Sequence, residues 1–331
     1  MGSTATDPAL VPAPGAVDRF RADLTALWGW ALADEGVRLG LAVSGGPDST
    51  ALLLLAAAAF PGRVEAATVE HGLRPESAQE AADVAALCTR LDVTHAILPV
   101  TVAEGNVQAM ARAARYAALA TWVEERELAA ILSAHHADDQ AETLLMRLNR
   151  ASGVAGLAGT RAHGRVPETQ IPLLRPVLGW RRSELAQIVE AAGIEAAQDP
   201  SNANERYDRV RLRNALAQAD WIDVSAVAQS AAHLAEADAA LAWMADLEYR
   251  SCLKKEPMGL RYKPQAPRAV ALRVVARIVT ELDGQEPRGS AVARLFEALC
   301  AGEPASIGNL VVRPNAGGWS FAKAPRRAVK S

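Results

Sequence analysis

The stretch LAVSGGPDSTALLLL, residues 41–55, constrains the possible folds more than any other part of this 331-residue chain. A short apolar run ends at Val43, the six residues SGGPDS follow, and a second apolar run begins after Ser49. A buried strand that enters a helix through a glycine turn presents backbone N–H groups at the helix N-terminus, and such groups bind phosphate. The stretch therefore predicts one strand–loop–helix unit of an α/β fold, with an anion site in the loop.

The composition of this loop narrows the kind of phosphate site. A Walker loop needs a lysine after its last glycine, but the first lysine of the chain is Lys254, and the loop does not match GxGxxG either. A tight turn capped by Ser or Asp is the alternative explanation. However, Ser44 and Ser49 offer hydroxyls, and Pro47 restricts the shape of the loop. Asp48 would repel a phosphate unless a cation lay between them, so we expect Mg²⁺ at Asp48.

Segments typical of strands and of helices alternate over the first 150 residues. The pattern predicts strands at 37–43, 64–69, 95–100 and 128–134, and helices at 21–33, 49–60, 76–91, 106–127 and 138–150. Such alternation implies an α/β fold with a doubly wound parallel sheet and helices on both faces. Ligands of these sheets bind at the carboxyl ends of the strands. We therefore expect the loops 44–49, 70–75 and 135–139 to share one crevice.

The length of the chain and a change of pattern after Pro176 suggest more than one domain. The first residues are rich in Ala and Pro, and the segment KKEPMGLRYKPQAP resembles a linker. We expect a disordered lead-in at 1–16, a nucleotide-binding catalytic domain at 17–222, a connecting helix at 223–253, a linker at 254–267 and a small C-terminal domain at 268–331.

Composition and charge exclude several classes of protein. The net charge of −3 gives no bulk signature of nucleic-acid binding, although local basic faces remain possible. The three cysteines are far apart and form no CxxC, which argues against a disulfide framework, a zinc ribbon and an iron–sulfur site. No apolar run reaches the roughly 20 residues of a membrane span. The N-terminus lacks the pattern of a secretory signal. We therefore expect a cytoplasmic protein.

The loop SGGPDS resembles the SGGxDS pyrophosphate loop of the ATP pyrophosphatases. These enzymes cleave ATP between the α and β phosphates and form an adenylated intermediate. The resemblance implies the adenine nucleotide alpha hydrolase-like version of the doubly wound fold. It also implies that ATP is bound by Ser44, Gly45, Gly46, Pro47, Asp48 and Ser49.

Four further motifs narrow the family. They are VEHGLRPES at 69–77, EGNVQAMARAARY at 104–116, SAHHADDQAETLLMRLNRASGVAGLAG at 133–159 and QDPSNANERYDRVRLRN at 198–214. In order and spacing they resemble the tRNA(Ile)-lysidine synthase family of bacterial tRNA-modifying enzymes, over roughly residues 35–215. Glu70 and Val210 depart from the family pattern, which has Asp and Asn there. The second departure leaves the role of each neighbouring arginine open.

The resemblance implies an ATP-dependent ligation of free L-lysine to C2 of the wobble cytidine of a minor isoleucine tRNA with a CAU anticodon. The products are lysidine, AMP and pyrophosphate, and Mg²⁺ would be held by Asp48 and Asp139. Asp48, Asp139, His135 and Arg115 are the expected catalytic residues. The residues expected to bind tRNA or substrate are His71, Arg74, Arg112, His136, Glu142, Arg209, Arg211 and Arg213. Either Asp139 or Glu142 would orient the lysine ammonium, and a homodimer is possible.

The same residues have plainer explanations. His135 and His136 are also typical of helix caps or cores, and neighbouring carboxylates favour a helix N-terminus through its dipole. Arginine clusters are usually solvated faces. Other functions remain open as well: a tRNA thiolase, an amidotransferase, or a non-catalytic tRNA-binding module. The absence of CxxC and of a glutaminase region argues against the first two.

The C-terminal end carries a further expectation. Residues 308–327 alternate apolar and polar side chains around a Gly-Gly turn, which predicts a hairpin. The basic residues that end the chain suit contacts with tRNA phosphates, and they are Lys323, Arg326, Arg327 and Lys330. We therefore expect the C-terminal domain to help select the tRNA. The alternative is that it only covers the core of the first domain.

Overall fold

The computed structural model describes residues 7–72, 76–101, 107–197 and 208–324. The chain divides into two compact units, residues 1–235 and 236–331. None of the described helices is both long enough and apolar enough to cross a membrane.

The first unit is built on a six-stranded sheet in the order β3-β2-β1-β4-β6-β5. Five strands run parallel, and the edge strand β5 is antiparallel to β6. In chain order the elements are α1 (Pro14–Leu32), β1 (Leu39–Ala42), α2 (Pro47–Ala59), β2 (Val64–Glu70), α3 (Glu76–Arg90), β3 (Thr94–Pro99), α4 (Val107–Glu125), β4 (Ala130–Leu132), α5 (Ala137–Leu148), α6 (Val154–Leu157), β5 (His163–Arg165), β6 (Pro172–Leu174), α7 (Arg182–Ala191) and α8 (Asp208–Gln218). The predicted doubly wound α/β fold is confirmed.

Helices cover both faces of this sheet. On one face α2 packs against α1 and α7, and its Ala/Leu run is fully buried over residues 51–56. On the other face α4 contributes Tyr116, Leu119, Trp122 and Val123 to a separate core cluster. Gly40 in β1 allows this packing, because a Cβ atom there would lie 2.7 Å from the Trp122 ring. Strand β1 therefore lies at the centre of three layers.

The predicted disordered lead-in is wrong for residues 7–16. A short 3-10 helix spans Pro8–Leu10, and Leu10 is only 1% exposed within the main core. Asp7 also pairs with Arg90 at the end of α3, with 3.0 Å between Oδ2 and NH2. Burial of an apolar side chain therefore orders a segment whose Ala/Pro composition suggested disorder. Residues 1–6 lie outside the described part of the chain.

The second unit is an antiparallel sheet in the order β7-β8-β11-β10-β9, packed against two helices. The long helix α9 (Val224–Cys252) leads into it. The remaining elements are β7 (Leu253–Glu256), β8 (Gly259–Tyr262), α10 (Arg268–Asp283), α11 (Gly289–Cys300), β9 (Ala305–Ile307), β10 (Leu310–Asn315) and β11 (Gly318–Lys323). The hairpin predicted near the C-terminus is confirmed by the pairing of β10 with β11.

The prediction of a linker at 254–267 is wrong, because most of this segment belongs to the second sheet. Most of it forms the hairpin of β7 and β8, and β8 pairs with β11 in the sheet. Leu260 and Tyr262 alternate with less buried neighbours and are buried opposite Phe321 and Trp319. The three lysines and three prolines of the segment suggested a linker, but this alternation of buried residues gives it the pattern of a strand.

Candidate active site

A cavity of about 1180 Å³ opens at the carboxyl ends of β1, β2 and β4. The loop after β1, the end of β2, the loop after β4, and the helices α4, α7 and α8 all contribute side chains to its wall. This is the crevice that the alternation of strands and helices predicted. The predicted loops 44–49 and 135–139 both line it, whereas residues 73–75 of the third loop lie outside the described residues.

The glycine loop is held in a fixed shape by its own hydroxyls. The Ser44 N–H donates to Ser49 Oγ at 3.1 Å, and Ser49 Oγ donates to the Gly46 carbonyl at 3.0 Å. Gly45 has φ +83°, a conformation that favours glycine, and a Cβ atom there would lie 3.3 Å from Val84. The serines therefore shape the loop.

The helix that follows the loop begins without a side-chain cap. Gly46 is the N-cap residue of α2, Pro47 occupies the first turn, and no side chain accepts a hydrogen bond from the first amides. A turn capped by Ser or Asp was the alternative explanation for this stretch, and it is not what forms. Uncapped amides at a helix N-terminus favour an anion in front of them.

His136 links two carboxylates from separate elements. It caps α5, where its Nδ1 accepts a hydrogen bond from the Asp139 N–H at 3.4 Å and Asp139 Oδ2 accepts one from the His136 N–H at 3.3 Å. Because Nδ1 is an acceptor, the ring proton lies on Nε2. That atom is 3.4 Å from Asp48 Oδ2 and 3.5 Å from Asp139 Oδ2. The imidazole therefore lies within ion-pair distance of both Asp48 and Asp139.

The charges around this pair keep Asp48 ionised. Burial alone would raise the pKa of Asp48, but His136, Arg182 and Arg213 outweigh it and the pKa is lowered. Burial alone would lower the pKa of His136, but the carboxylates of Asp48 and Asp139 have the larger effect and raise this pKa. The negative charge of Asp48 is thus stabilised inside the cavity.

The donor set fits a magnesium ion. Asp48 Oδ1 is buried and lacks a hydrogen-bond partner among the described residues, which leaves one carboxylate oxygen open to a cation. The described part of the chain contains no group of three or more His, Cys, Asp or Glu residues that would form a complete metal cage. Mg²⁺ usually binds through one or two carboxylates together with substrate phosphates, so Asp48 and Asp139 suffice.

A buried carboxylate anchors two arginines beside this pair. Glu142 is 1% exposed, and it accepts hydrogen bonds from Arg209 Nε at 2.6 Å and Arg213 Nε at 2.8 Å. Arg209 reaches further and donates through NH2 to Asp139 Oδ1 at 3.0 Å. Burial opposes the charge of Arg213, but Glu142 outweighs it and raises the pKa of that guanidinium. Both arginines line the cavity.

The other predicted residues divide into three groups. His71, Arg115 and His135 line the cavity. Arg112 lies over the Tyr116 ring at 5.0 Å, and Arg211 is 66% exposed and paired with Asp208, so neither belongs to the cavity wall. Arg74 lies outside the described residues.

The sequence reasoning missed Arg182. It lines the cavity, and its NH2 lies 3.7 Å from Asp48 Oδ2. Its backbone N–H donates to Asp138 Oδ2 at 2.8 Å, and Arg181 forms two further bonds to Asp138. Asp138 therefore joins the start of α5 to the start of α7. The stretch WRRSEL, residues 180–185, could have indicated Arg182, because it follows a strand of the same parallel sheet. That strand, β6, has only three residues and was not predicted.

His135 is kept neutral by its surroundings. Burial and then the nearby Arg175 lower the pKa of His135 to about 4. Arg175 Nε donates to His135 Nδ1 at 3.3 Å, and Ser133 Oγ lies 3.0 Å from the same atom. An imidazole with so low a pKa is a weak base at neutral pH. It is better suited to donating a hydrogen bond from Nε2.

We expect His135 to make the protein acid-sensitive. The unfolded chain takes up a proton near pH 6.5, but the folded chain does so only near pH 4, so stability falls as the pH drops. At pH 5 the loss is about 2 kcal/mol. Urea unfolding at pH 7 and pH 5 should therefore show a loss that is about 2 kcal/mol smaller in His135→Asn than in the unaltered protein. Equal losses would contradict the assignment, because His136 is present in both.

Comparisons with known proteins agree with this site. Residues 20–220 match the family model of the PP-loop domain. The tRNA(Ile)-lysidine synthase of Novosphingobium aromaticivorans is 46% identical over 315 residues, which cover 94% of each chain. The tRNA(Ile)-lysidine synthase of Zymomonas mobilis is 42% identical over 303 residues, which cover 88% of this chain and 89% of that one.

A solved structure shares the fold. The U34-tRNA thiolase NcsA from Methanococcus maripaludis, with its [4Fe-4S] cluster, superimposes with a TM-score of 0.55. The match covers 67% of this chain and 79% of that one at 14% identity, so it supports the architecture alone. The sequence relatives are far closer and match along nearly the whole length. Together with the PP-loop match, they show that the chain belongs to the tRNA(Ile)-lysidine synthase family.

Proposed function

We propose that the protein joins free L-lysine to C2 of the wobble cytidine in an isoleucine tRNA with a CAU anticodon, and that it consumes ATP and releases AMP and pyrophosphate. The observation that carries the proposal is the meeting of Asp48 and Asp139 on His136, in a cavity that also contains an uncapped helix N-terminus. The reacting molecules, tRNA, ATP and lysine, fit a cytoplasmic location.

The first step activates the base. The cytosine O2 attacks the α phosphorus of ATP, so an O–P bond forms, the bond to the bridging oxygen breaks and pyrophosphate leaves. The amides at the start of α2 and the guanidinium of Arg182 lie where they can receive its charge. A magnesium ion held by Asp48 and Asp139 would supply further neutralisation of the pyrophosphate.

The second step needs a neutral amine. Free lysine has an ε-ammonium pKa of about 10.4, so only about one molecule in two thousand is neutral at pH 7. Its nitrogen attacks C2, the C2–O bond breaks, AMP leaves with the former cytosine oxygen and one proton is released. Asp139 lines the cavity, whereas Glu142 is 1% exposed and does not belong to the cavity wall. This favours Asp139 as the group that orients the ammonium.

The cysteines of the chain give little support to the alternative that the protein is a tRNA thiolase. All three cysteines are free, and Cys88 is buried. Burial raises the pKa of the Cys88 thiol to about 12, so it has almost no thiolate at neutral pH. Cys252 and Cys300 belong to the second unit.

We expect labelled lysine to enter tRNA only in the presence of ATP. The protein is incubated with ATP, labelled lysine and total bacterial tRNA, and the tRNA is then digested so that the labelled nucleoside can be identified. A transcript with a CAU anticodon should accept the label, and a matched transcript with UAU should not, because it lacks the wobble cytidine. Product formation with glutamine or sulfide, but not with lysine, would contradict the proposal.

A further inference from the structure

Arg175 is a buried cation, and no carboxylate of the described ranges forms an ion pair with it. It directly follows β6 and is 8% exposed. Its NH1 donates to the Arg161 carbonyl at 2.7 Å, and the Tyr116 side chain lies close by. Burial lowers the pKa of this guanidinium. A buried charge costs free energy, and this one balances no anion, so its contacts must explain why it is there.

The contact that stands out joins Arg175 to His135. Arg175 Nε donates to His135 Nδ1 at 3.3 Å. A guanidinium has only donors, so the ring nitrogen that faces it must be the one without a proton. Ser133 Oγ also lies 3.0 Å from Nδ1, but a hydroxyl either donates or accepts and cannot fix the tautomer by itself. Arg175 therefore fixes the ring proton of His135 on Nε2.

The charges around His135 keep the fixed tautomer neutral. Burial has the largest effect on its pKa, and Arg175 has the next largest. Arg115 and Arg112 lower the pKa further, whereas Asp139 raises it, and the result is a pKa of about 4. At neutral pH the ring thus offers one N–H donor and carries no charge.

This donor lies beside the glycine loop. Strands β1 and β4 are paired as far as Leu41 and Leu132, and Ser44 and His135 each follow three residues later. Neighbouring strands are about 4.8 Å apart, so the two residues leave the sheet side by side. Both line the cavity. Since Nδ1 faces the end of β6, the Nε2 edge of the ring is the one left for a ligand in the cavity.

The chemistry of the two steps asks for a neutral donor at the α phosphate. When the cytosine O2 gives an electron pair to the α phosphorus, the base becomes cationic. When lysine has attacked C2, AMP leaves and its phosphate gains a negative charge. An imidazolium beside the base would repel the cationic intermediate. A neutral N–H avoids this repulsion and still donates to a phosphate oxygen in both steps.

We propose that His135 donates a hydrogen bond from Nε2 to an oxygen of the α phosphate, and that Arg175 is the positioning residue that fixes the tautomer this requires. The inference rests on the proposed function, in which both steps act on that phosphate. The amides of α2 and Arg182 serve the departing pyrophosphate, whereas His135 serves the phosphate that stays on the base. The ring keeps its Nε2 proton throughout, so no proton acceptor is needed.

The tautomer is tested on the full chain without substrates. The protein is labelled with ¹⁵N-histidine, and the ring nitrogen spectrum at pH 7 shows which nitrogen of each histidine carries a proton. The signals of His135, one of six histidines, are those missing from the spectrum of His135→Gln. We expect the proton on Nε2, and a mixture of both tautomers in Arg175→Met. A proton on Nδ1 in the unaltered protein would overturn the proposal.

The donor is tested with two amide variants that form a matched pair. A glutamine amide nitrogen reaches the place of His135 Nε2, whereas an asparagine amide nitrogen reaches only that of Nδ1. With saturating ATP and tRNA, we expect His135→Asn to lower the rate of pyrophosphate release about a hundredfold and His135→Gln to keep it within about tenfold. The KM for ATP should change little in both. Equal losses in the two variants would remove the Nε2 donor.

The positioning role is tested by Arg175→Met in two backgrounds. No buried anion of the described ranges loses a partner, so the variant should fold, which thermal unfolding checks. We expect kcat to fall at least about tenfold in the otherwise unaltered chain, but to change little further in the His135→Gln background, because an amide has no tautomer to fix. Equal losses in both backgrounds would reduce Arg175 to a structural role and overturn this part of the proposal.

If Arg175→Met does not fold, Arg175→Gln is compared in the same two backgrounds, because an amide that can donate or accept does not fix the tautomer either. The same outcomes then support or overturn the positioning role. Failure of the proposed lysine ligation would appear in the modification assay of the unaltered protein. The ring nitrogen spectrum does not depend on it.

Discussion

Asp48→Asn is expected to abolish tRNA-dependent pyrophosphate release, with a loss of at least about a thousandfold. Asparagine keeps the size of the side chain but removes the negative charge that the cavity stabilises. Burial alone would raise the pKa of Asp48, but the combined effect of His136, Arg182 and Arg213 is larger and lowers it. The departing pyrophosphate would then lack a cation beside the loop. Pyrophosphate release is measured with saturating tRNA and ATP.

Asp139→Asn should give a loss of similar size, and Asp138→Asn provides the matched control. The two carboxylates are adjacent on α5, but Asp139 lines the cavity, whereas Asp138 binds Arg181 and the Arg182 N–H. Asp138→Asn should therefore reduce stability more than it reduces turnover. Wild-type-like release by Asp48→Asn or Asp139→Asn would remove these residues from the chemistry. Equal losses in all three variants would point to a general structural effect.

The fold was largely predictable because its signals are local. The strands β1 to β4 and the helices between them follow from apolar runs and their spacing, and the glycine loop marked the first junction. The carboxyl ends of parallel strands meet at one edge, so the crevice followed from the alternation alone. The strands β5 and β6 were missed. The strand β4 is equally short but lies in the longer apolar run 128–134, whereas β5 has the polar sequence HGR and β6 is a brief apolar run between Pro172 and Pro176.

The residues of the site were predictable where a motif carried them, but their partners were not. Asp48, His135, Asp139 and the arginines of α8 came from contiguous stretches. By contrast, Arg182 approaches Asp48 from a helix that starts 134 positions later in the chain. No local sequence pattern predicts that contact. The capping role of His136 also depends on geometry, because only the extended backbone at that residue turns its ring toward Asp139.

Glu142 shows how a contact changes the meaning of a motif residue. Its position one helical turn after Asp139 suggested a carboxylate for the substrate ammonium. The side chain is instead buried, and both of its oxygens accept hydrogen bonds from guanidinium groups. We infer that Glu142 positions Arg209 and Arg213. Through Arg209 it also supports Asp139, which accepts from the same guanidinium.

Glu142→Gln is therefore expected to destabilise the protein even without any substrate. The amide accepts from one arginine but presents an NH₂ group to the other, and the two guanidinium groups lose the buried carboxylate that they share. We expect a loss of about 3 kcal/mol in the free energy of unfolding, at the low end for a broken buried pair because Arg209 is 44% exposed. The measurement is urea unfolding without ATP, tRNA or lysine.

Glu190→Gln is the matched control, because Glu190 is an exposed carboxylate on α7 and its loss should change stability by less than about 0.5 kcal/mol. The kinetic readout separates the two roles of Glu142. A positioning residue should lower pyrophosphate release and raise the KM for lysine together, because Asp139 loses its orientation. If Glu142→Gln unfolds like the unaltered protein and changes only the KM for lysine, the carboxylate binds the substrate ammonium directly. The two arginines would then have to leave Glu142 before lysine enters.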